Sequence, residues 1–267
     1  MDCTQTYDII IQAGQSNAEG CGRGPVDGEY VPSKDVFYLI DGNQAGYKGE
    51  KRTAAALPLD MRVEIAAERE DAACKIGDFS LYFARKYIEA GRLEAGRKLL
   101  IIRAAVSGTG FADKMWGMAD PLYLRMLAMT DAALGLNPEN RLIALLWHQG
   151  ETDALMNPAW AAEEKYSVHR GNLTSLFISA RERYNCPALP IVAGGFCDEW
   201  ERVNHTACEP IISAMIAVLF NIGSAAFIET ADLTSNNQAT GDGDGIHFSR
   251  DALRIMGERY FKAFSTL

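Results

Sequence analysis

Asp244 and His247 stand three residues apart in "GDGDGIH", with Gly243 and Gly245 permitting a tight fold-back. A carboxylate so placed can accept the proton on one imidazole nitrogen and leave the other nitrogen basic. Such a base needs a group to activate, and a serine hydroxyl is a weak nucleophile until a base comes within hydrogen-bond reach. The serine whose position suits this is Ser16, in "IQAGQSNAEG" directly after the apolar run "YDIII". On that stretch alone Ser16 reads either as a helix cap or as a nucleophile at the end of a strand.

Other chemistries fit the polar clusters less well. "GQSNAEG" continuing into "CGRGP" lacks both glycine-rich phosphate-binding patterns, so nucleotide binding is not expected. "GDGDGIH" fails as a calcium loop, because Ile246 falls where a fifth-position ligand belongs and no closing Glu follows. "HQGETD" offers His148, Glu151 and Asp153, but without the H-E-x-x-H companion a catalytic metal is not expected. The order also speaks against an α/β-hydrolase elbow, which puts Ser mid-chain and its acid well upstream of His. Here Ser comes first, and Asp and His are close neighbours near the end.

The elements that must carry these residues alternate along the chain. Runs apolar at consecutive positions, as in strands buried on both faces, occur at 7–13, 98–106, 141–147, 190–194 and 225–230. Helical patterns lie near 77–91, 120–135, 158–184, 209–221 and 249–265; in the last, Ser249 is the expected N-cap and Phe248 can staple onto Leu253. This rhythm predicts a parallel sheet between helices with right-handed crossovers. Ligands in such sheets bind beyond the carboxyl ends of the strands, where "GQSN", "SGTGF" and "HQGETD" all fall. The stretch 21–75 fits the rhythm poorly; it holds one plausible strand at 35–40 and reads as an insertion on a single domain covering 1–267.

Composition bounds the partners. A chain of 267 residues with formal net charge -9 and no basic stripe does not suit nucleic acid or an anionic membrane. No run approaches the roughly 20 apolar residues of a membrane span, and no secretory pattern opens the chain, so a cytoplasmic location is expected. The six cysteines, Cys3 among them, form no C-x-x-C pair and are expected as free thiols.

"GQSNAEG", "AAVSGTGF", "WHQGETD" and "ADLTSN…DGIHFS" together resemble the successive blocks of SGNH-type (GDSL-like) esterases, in the right order from residue 7 to the last helix. The match is best with the sialate O-acetylesterase / carbohydrate esterase family six branch, which includes acetylxylan esterase relatives. The resemblance implies a three-layer α/β/α flavodoxin-like fold and removal of O-acetyl groups from a small acetylated saccharide, without cofactor or metal. It implies Ser16 as nucleophile, His247 as general base and Asp244 as orienting acid. The oxyanion donors it implies are the N–H groups of Ser16 and Gly108 and the side-chain amide of Gln149. Asn17 and Glu151 are secondary candidates, Glu151 as a competitor of Asp244. The branch commonly shows Gly-Gly-Thr where this chain has Ser107-Gly108-Thr109, which keeps the Gly donor and changes the residue before it.

For the sugar itself, Trp116 and Trp147 are stacking candidates against a reading as core residues, and Arg62 or Arg103 is a candidate partner for a sugar carboxylate. A short-chain acyl esterase, a lipase or a thioesterase would share the whole triad. A non-catalytic carbohydrate-binding relative is the alternative of a different class, and the intact Ser, Asp, His and Gln set argues against it.

Overall fold

The computed structural model describes residues 5–49, 52–53, 55–71 and 74–267. Cys3, and Glu50 and Lys51 of the 21–75 stretch, lie outside the described residues. The five apolar runs become β1 (Thr6–Gly14), β6 (Arg97–Arg103), β7 (Arg141–His148), β8 (Ile191–Gly194) and β9 (Ala225–Ile228). They pair in parallel in the order β6-β1-β7-β8-β9, the 2-1-3-4-5 order of doubly wound flavodoxin-like sheets.

The stretch 21–75 is more regular than expected. It contributes β2 (Val36–Asp41), β3 (Met61–Ile65) and a small hairpin of β4 (Arg69–Asp71) and β5 (Cys74–Ile76). β2 continues the sheet in parallel beside β6, and β3 closes that edge antiparallel to β2. The sheet is therefore mostly parallel with one antiparallel edge. β3 alternates half-buried Met61 and Val63 with exposed Arg62 and Glu64, and charges of this kind discourage further strand pairing at an open edge.

Successive strand residues face opposite sides, and the core divides accordingly. Ile9, Ile11, Leu100, Ile102, Leu145 and Trp147 pack on one side with α3 (Pro121–Gly135), α5 (Ala162–Arg183) and α7 (His205–Ile222). Ile10, Leu99, Ile101, Ala144 and Leu146 pack on the other with α2 (Phe79–Glu89) and α9 (Arg250–Phe264). These are the three layers α/β/α. Contrary to the expectation that no run approaches a membrane span, α7 is long and apolar enough by composition to cross one; here Met215, Val218 and Leu219 pack in the core. Ser249 caps α9 by accepting from Ala252 N at 3.1 Å.

Four short α-helices, α1 (Ser16–Glu19), α4 (Glu151–Leu155), α6 (Asp198–Val203) and α8 (Asn236–Thr240), and a 3-10 helix at Gly42–Tyr47 complete the elements of the described residues. The apolar run at 98–106 overshoots its strand by three residues. Ala104 N and Ala105 N both turn to Gln12 O, and Val106 N turns to Gly14 O, so the chain leaves the ladder and crosses the end of β1. That crossing delivers Ser107 and Gly108 to the edge where β1 and β7 end.

Candidate active site

β1 and β7 are neighbours whose following segments diverge, and this is the switch point where such sheets open a crevice. Gly14 makes the exit possible. Its φ of 128° suits glycine, and a Cβ there would stand 2.1 Å from His148 O. Gln15 N then bonds His148 O at 2.9 Å, and the chain turns into α1 with Ser16 as its first residue. The cap position belongs to Gln15, which makes no side-chain cap bond, so the helix-cap reading of Ser16 does not hold. Ser16 instead borders a cavity of about 300 Å³ together with Ser107, Gly108, Glu151, Ile246 and His247.

His247 and Asp244 meet as the spacing predicts. Nδ1 lies 2.9 and 2.8 Å from the two carboxylate oxygens, and the His247 backbone N–H donates to Oδ1 at 3.2 Å. A carboxylate only accepts, so Nδ1 carries the proton and Nε2 is the basic nitrogen. Burial would raise the Asp244 carboxyl, but hydrogen bonds from Asn236 and His247 hold it below its ordinary value. Asn236 is a residue the sequence reading quoted in "ADLTSN" without assigning. Its Nδ2 donates to Asp244 Oδ2 at 3.0 Å and its backbone N–H to His247 O at 2.9 Å. Among the described residues no hydrogen bond joins Ser16 Oγ to His247; contacts of this kind often tighten only around substrate.

Asn17 clamps the other side of the histidine. Its Oδ1 accepts from Phe248 N at 3.1 Å, and its Nδ2 donates to Ile246 O at 3.2 Å and to Glu151 Oε1 at 2.7 Å. Both neighbours of His247 are thereby tied to α1. Glu151 is buried, which pushes its carboxyl up, and its hydrogen-bond partner is Asn17 rather than His247. Of the two candidate acids, Asp244 is the one on the imidazole. The "HQGETD" side chains diverge: His148 Nδ1 meets Tyr260 Oη at 3.1 Å, Glu151 meets Asn17, and Asp153 meets His169. Tyr260 donates to Trp147 O at 2.8 Å, so it accepts from His148, whose burial pushes its value down to about 3.

Two backbone donors face no protein acceptor among the described residues, the N–H groups of Ser16 and Gly108. The third expected donor is placed differently. Gln149 is fully buried, and its amide nitrogen donates to Gln15 Oε1 at 3.3 Å and Asp153 Oδ2 at 3.1 Å. The cause is Asp153, a buried carboxylate that also accepts from Phe111 N, Ala112 N and His169 Nδ1 at 3.2, 2.8 and 3.0 Å. Gln149 therefore braces Gln15 and Asp153 and does not border the cavity in this arrangement. Asp153 belongs to "HQGETD" and His169 to no motif; nothing local in the sequence pairs them across 16 residues.

The substrate candidates do not gather at the cavity. Trp116 and Trp147 are fully buried and meet edge to face at 5.2 Å, and Trp116 Nε1 donates to Thr109 Oγ1 at 2.9 Å, so both are core residues. Arg62 lies on the edge strand β3, paired with Ile40 of β2 and 3.8 Å from Glu64, and borders a separate cavity with Tyr7, Phe37 and Leu136. Arg103 is buried over the Tyr38 ring and donates to Glu19 O.

Comparisons with known proteins give the family and the fold. The profile of the family described as "Carbohydrate esterase, sialic acid-specific acetylesterase" matches residues 6–266. An Escherichia coli K12 protein named "Probable 9-O-acetyl-N-acetylneuraminic acid deacetylase" is 39% identical over 193 residues, 61% of this chain. The match spans 58% of that protein's own length. In three dimensions the chain is similar to the crystal structure of NanS, with a TM-score of 0.73, 19% identity, and 98% and 97% of the two chains covered. It is also similar to a protein from Arabidopsis thaliana, with a TM-score of 0.72, 18% identity, and 98% of each chain covered. At these identities the structural likeness is one of fold.

Proposed function

Because the chain belongs to the carbohydrate esterase family of sialic acid-specific acetylesterases, we propose that it removes O-acetyl groups from sugars through an acyl-enzyme on Ser16. One observation carries the reading. A carboxylate-held imidazole and a strand-end serine border the same cavity, beside two N–H groups with no protein acceptor among the described residues.

The steps follow from those positions. His247 Nε2 takes the proton of Ser16 Oγ as that oxygen adds to the acetyl carbonyl carbon. The carbonyl oxygen becomes an oxyanion facing the N–H groups of Ser16 and Gly108, and each donor of this kind is typically worth about 3 kcal/mol of barrier. Collapse breaks the bond to the sugar oxygen, which leaves with the proton from His247. A water then gives its proton to Nε2 and adds to the acyl carbon; acetate departs and Ser16 Oγ regains its proton. Asp244 keeps Nδ1 protonated and stabilises the imidazolium at each turn. Asn236 and Asn17 hold this pair in place, and the cycle uses only these groups and water.

The test is acetate release from a panel of O-acetylated sialic acids, acetylated xylo-oligosaccharides and nitrophenyl esters of increasing acyl length. The expected result is release from acetylated sugars, with Ser16→Ala removing both turnover and labelling by a fluorophosphonate probe. Hydrolysis confined to the longer acyl esters would overturn the sugar assignment, and undiminished labelling of Ser16→Ala would remove Ser16 from the site.

A further inference from the structure

We propose that Lys48, Arg52 and Arg69 form a cationic rim on this cavity that binds the carboxylate of an acidic sugar substrate, a proposal that rests on the esterase reading above. All three come from the 21–75 stretch and stand behind the cavity wall made by Cys21, Ser107 and Gly108, Arg52 on Gly108 directly and the other two through Glu19 and Gly20. Lys48 Nζ pairs with one oxygen of Glu19, whose other oxygen accepts from Ser107 N at 2.9 Å and Ser107 Oγ at 2.6 Å. Arg52 Nη1 donates to Gly108 O at 3.0 Å and to Asp113 Oδ2 at 2.6 Å. Arg69 donates to Gly20 O, beside Cys21, and stands 3.9 Å from Glu19.

The ion pairs are asymmetric in depth, and that asymmetry makes the rim available. Lys48, Arg52 and Arg69 keep 34%, 31% and 43% of their side chains exposed, whereas Glu19 and Asp113 keep 6% and 2%. The acids lie under the surface and the cations lie on it, so the outward face is positive although the chain carries a net charge of -9. Arg52 makes its bonds through Nη1 alone, which leaves Nε and Nη2 without protein acceptors among the described residues. Those two donors form the fork that grips a carboxylate through parallel bonds. Low-dielectric walls strengthen the field at such a mouth and draw an anion toward it. Neither Arg62, on the edge strand β3 and bordering a separate cavity, nor Arg103, stacked over Tyr38, can serve here.

The test is binding of sialic acid and of its neutral methyl ester, measured by calorimetry on the full chain. This readout is independent of turnover, so it reports on the rim even if the acetate panel fails. The wild-type protein is expected to prefer the free acid by roughly tenfold or more, as for hydrogen bonds to a charged group. That preference should shrink as salt is raised from about 50 to 500 mM, since screening acts on the exposed charges. In a doubly substituted R52Q/R69Q protein the ratio of the two affinities should fall to about one, and the ratio cancels any general loss of binding. Equal affinity for acid and ester in the wild-type protein would overturn the proposal, as would a ratio unmoved by the double substitution. Acetate release failing on every sugar while the acid preference stands would instead strike the esterase reading.

Discussion

Asp244–His247 and Asp153–His169 are the same chemical pair at nearly the same separation, 2.8 and 3.0 Å from carboxylate to Nδ1. Their surroundings differ. The His247 side chain is 25% exposed and borders the cavity with Ser16, while that of His169 is 1% exposed under the edge of Phe111. His169 Nε2 is buried without a partner among the described residues, so it has no proton to take and nowhere to pass one. Asp153 instead collects the N–H groups of Phe111 and Ala112 and the amide of Gln149, and so fastens the loop that carries Gly108. Access and neighbours, not the identity of the pair, separate a proton-moving unit from a structural brace.

That contrast can be broken most directly at the two histidines. His247→Ala should lower kcat by about 10⁴-fold while the melting temperature stays near that of the wild type, because a partly exposed catalytic pair contributes little to folding. His169→Phe should do the reverse. It takes one hydrogen-bond donor from a buried carboxylate, at a cost of about 3 kcal/mol in denaturant unfolding, with far less effect on kcat. If His169→Phe abolished turnover with stability intact, the division of labour drawn here would be wrong.

Acid separates the buried network from the cavity more finely. Burial opposes the Asp153 carboxyl's charge, but His169 and the N–H groups of Ala112 and Phe111 hold it below its ordinary value. A depressed carboxylate stabilises the fold above the unfolded-state value and loses that contribution as pH falls through the folded one. His148 acts in the same direction for a different reason: its neutral form is buried, and its value is pushed down to about 3. The unfolded chain therefore takes up the proton first, and stability should fall from pH 6.5 toward 3 by about 1.4 kcal/mol per pH unit. Urea unfolding across that range checks it, and a His148→Leu protein should show a flatter slope. The smallest effect is expected at Gln149. With its amide turned to Gln15 and Asp153, Gln149→Ala should slow turnover only severalfold, against the roughly 10²- to 10³-fold typical of an oxyanion donor. A loss on the larger scale would mean that the amide swings into the cavity during the reaction.

Legibility followed the range of the interactions. The five buried strands could be read from consecutive apolar residues, because burial on both faces leaves its mark at every position of a run. β3 and the β4–β5 hairpin could not, since short edge strands with charged residues carry no such mark. The Asp244–His247 pair was legible because both residues lie within one glycine-lined turn, where spacing alone dictates contact. The place of Ser16 at the carboxyl end of β1 was legible from the apolar run just before it, although that stretch left its role open.

What the chain's order of residues determined by itself is thus the sheet, its flanking helices and the local pair that would move a proton. Only the tertiary structure decided which polar groups reach the cavity. It turned Gln149 inward to a carboxylate four residues ahead, buried Trp116 and Trp147 against one another, and put Arg62 on the edge strand β3, beside a separate cavity. It also brought Asn236 under Asp244, Arg52 to Gly108, and Lys48 to the Glu19 carboxylate that Ser107 also bonds. The physical reason is that these placements depend on contacts between segments far apart in sequence, and on competition for buried hydrogen bonds that no single stretch of residues records.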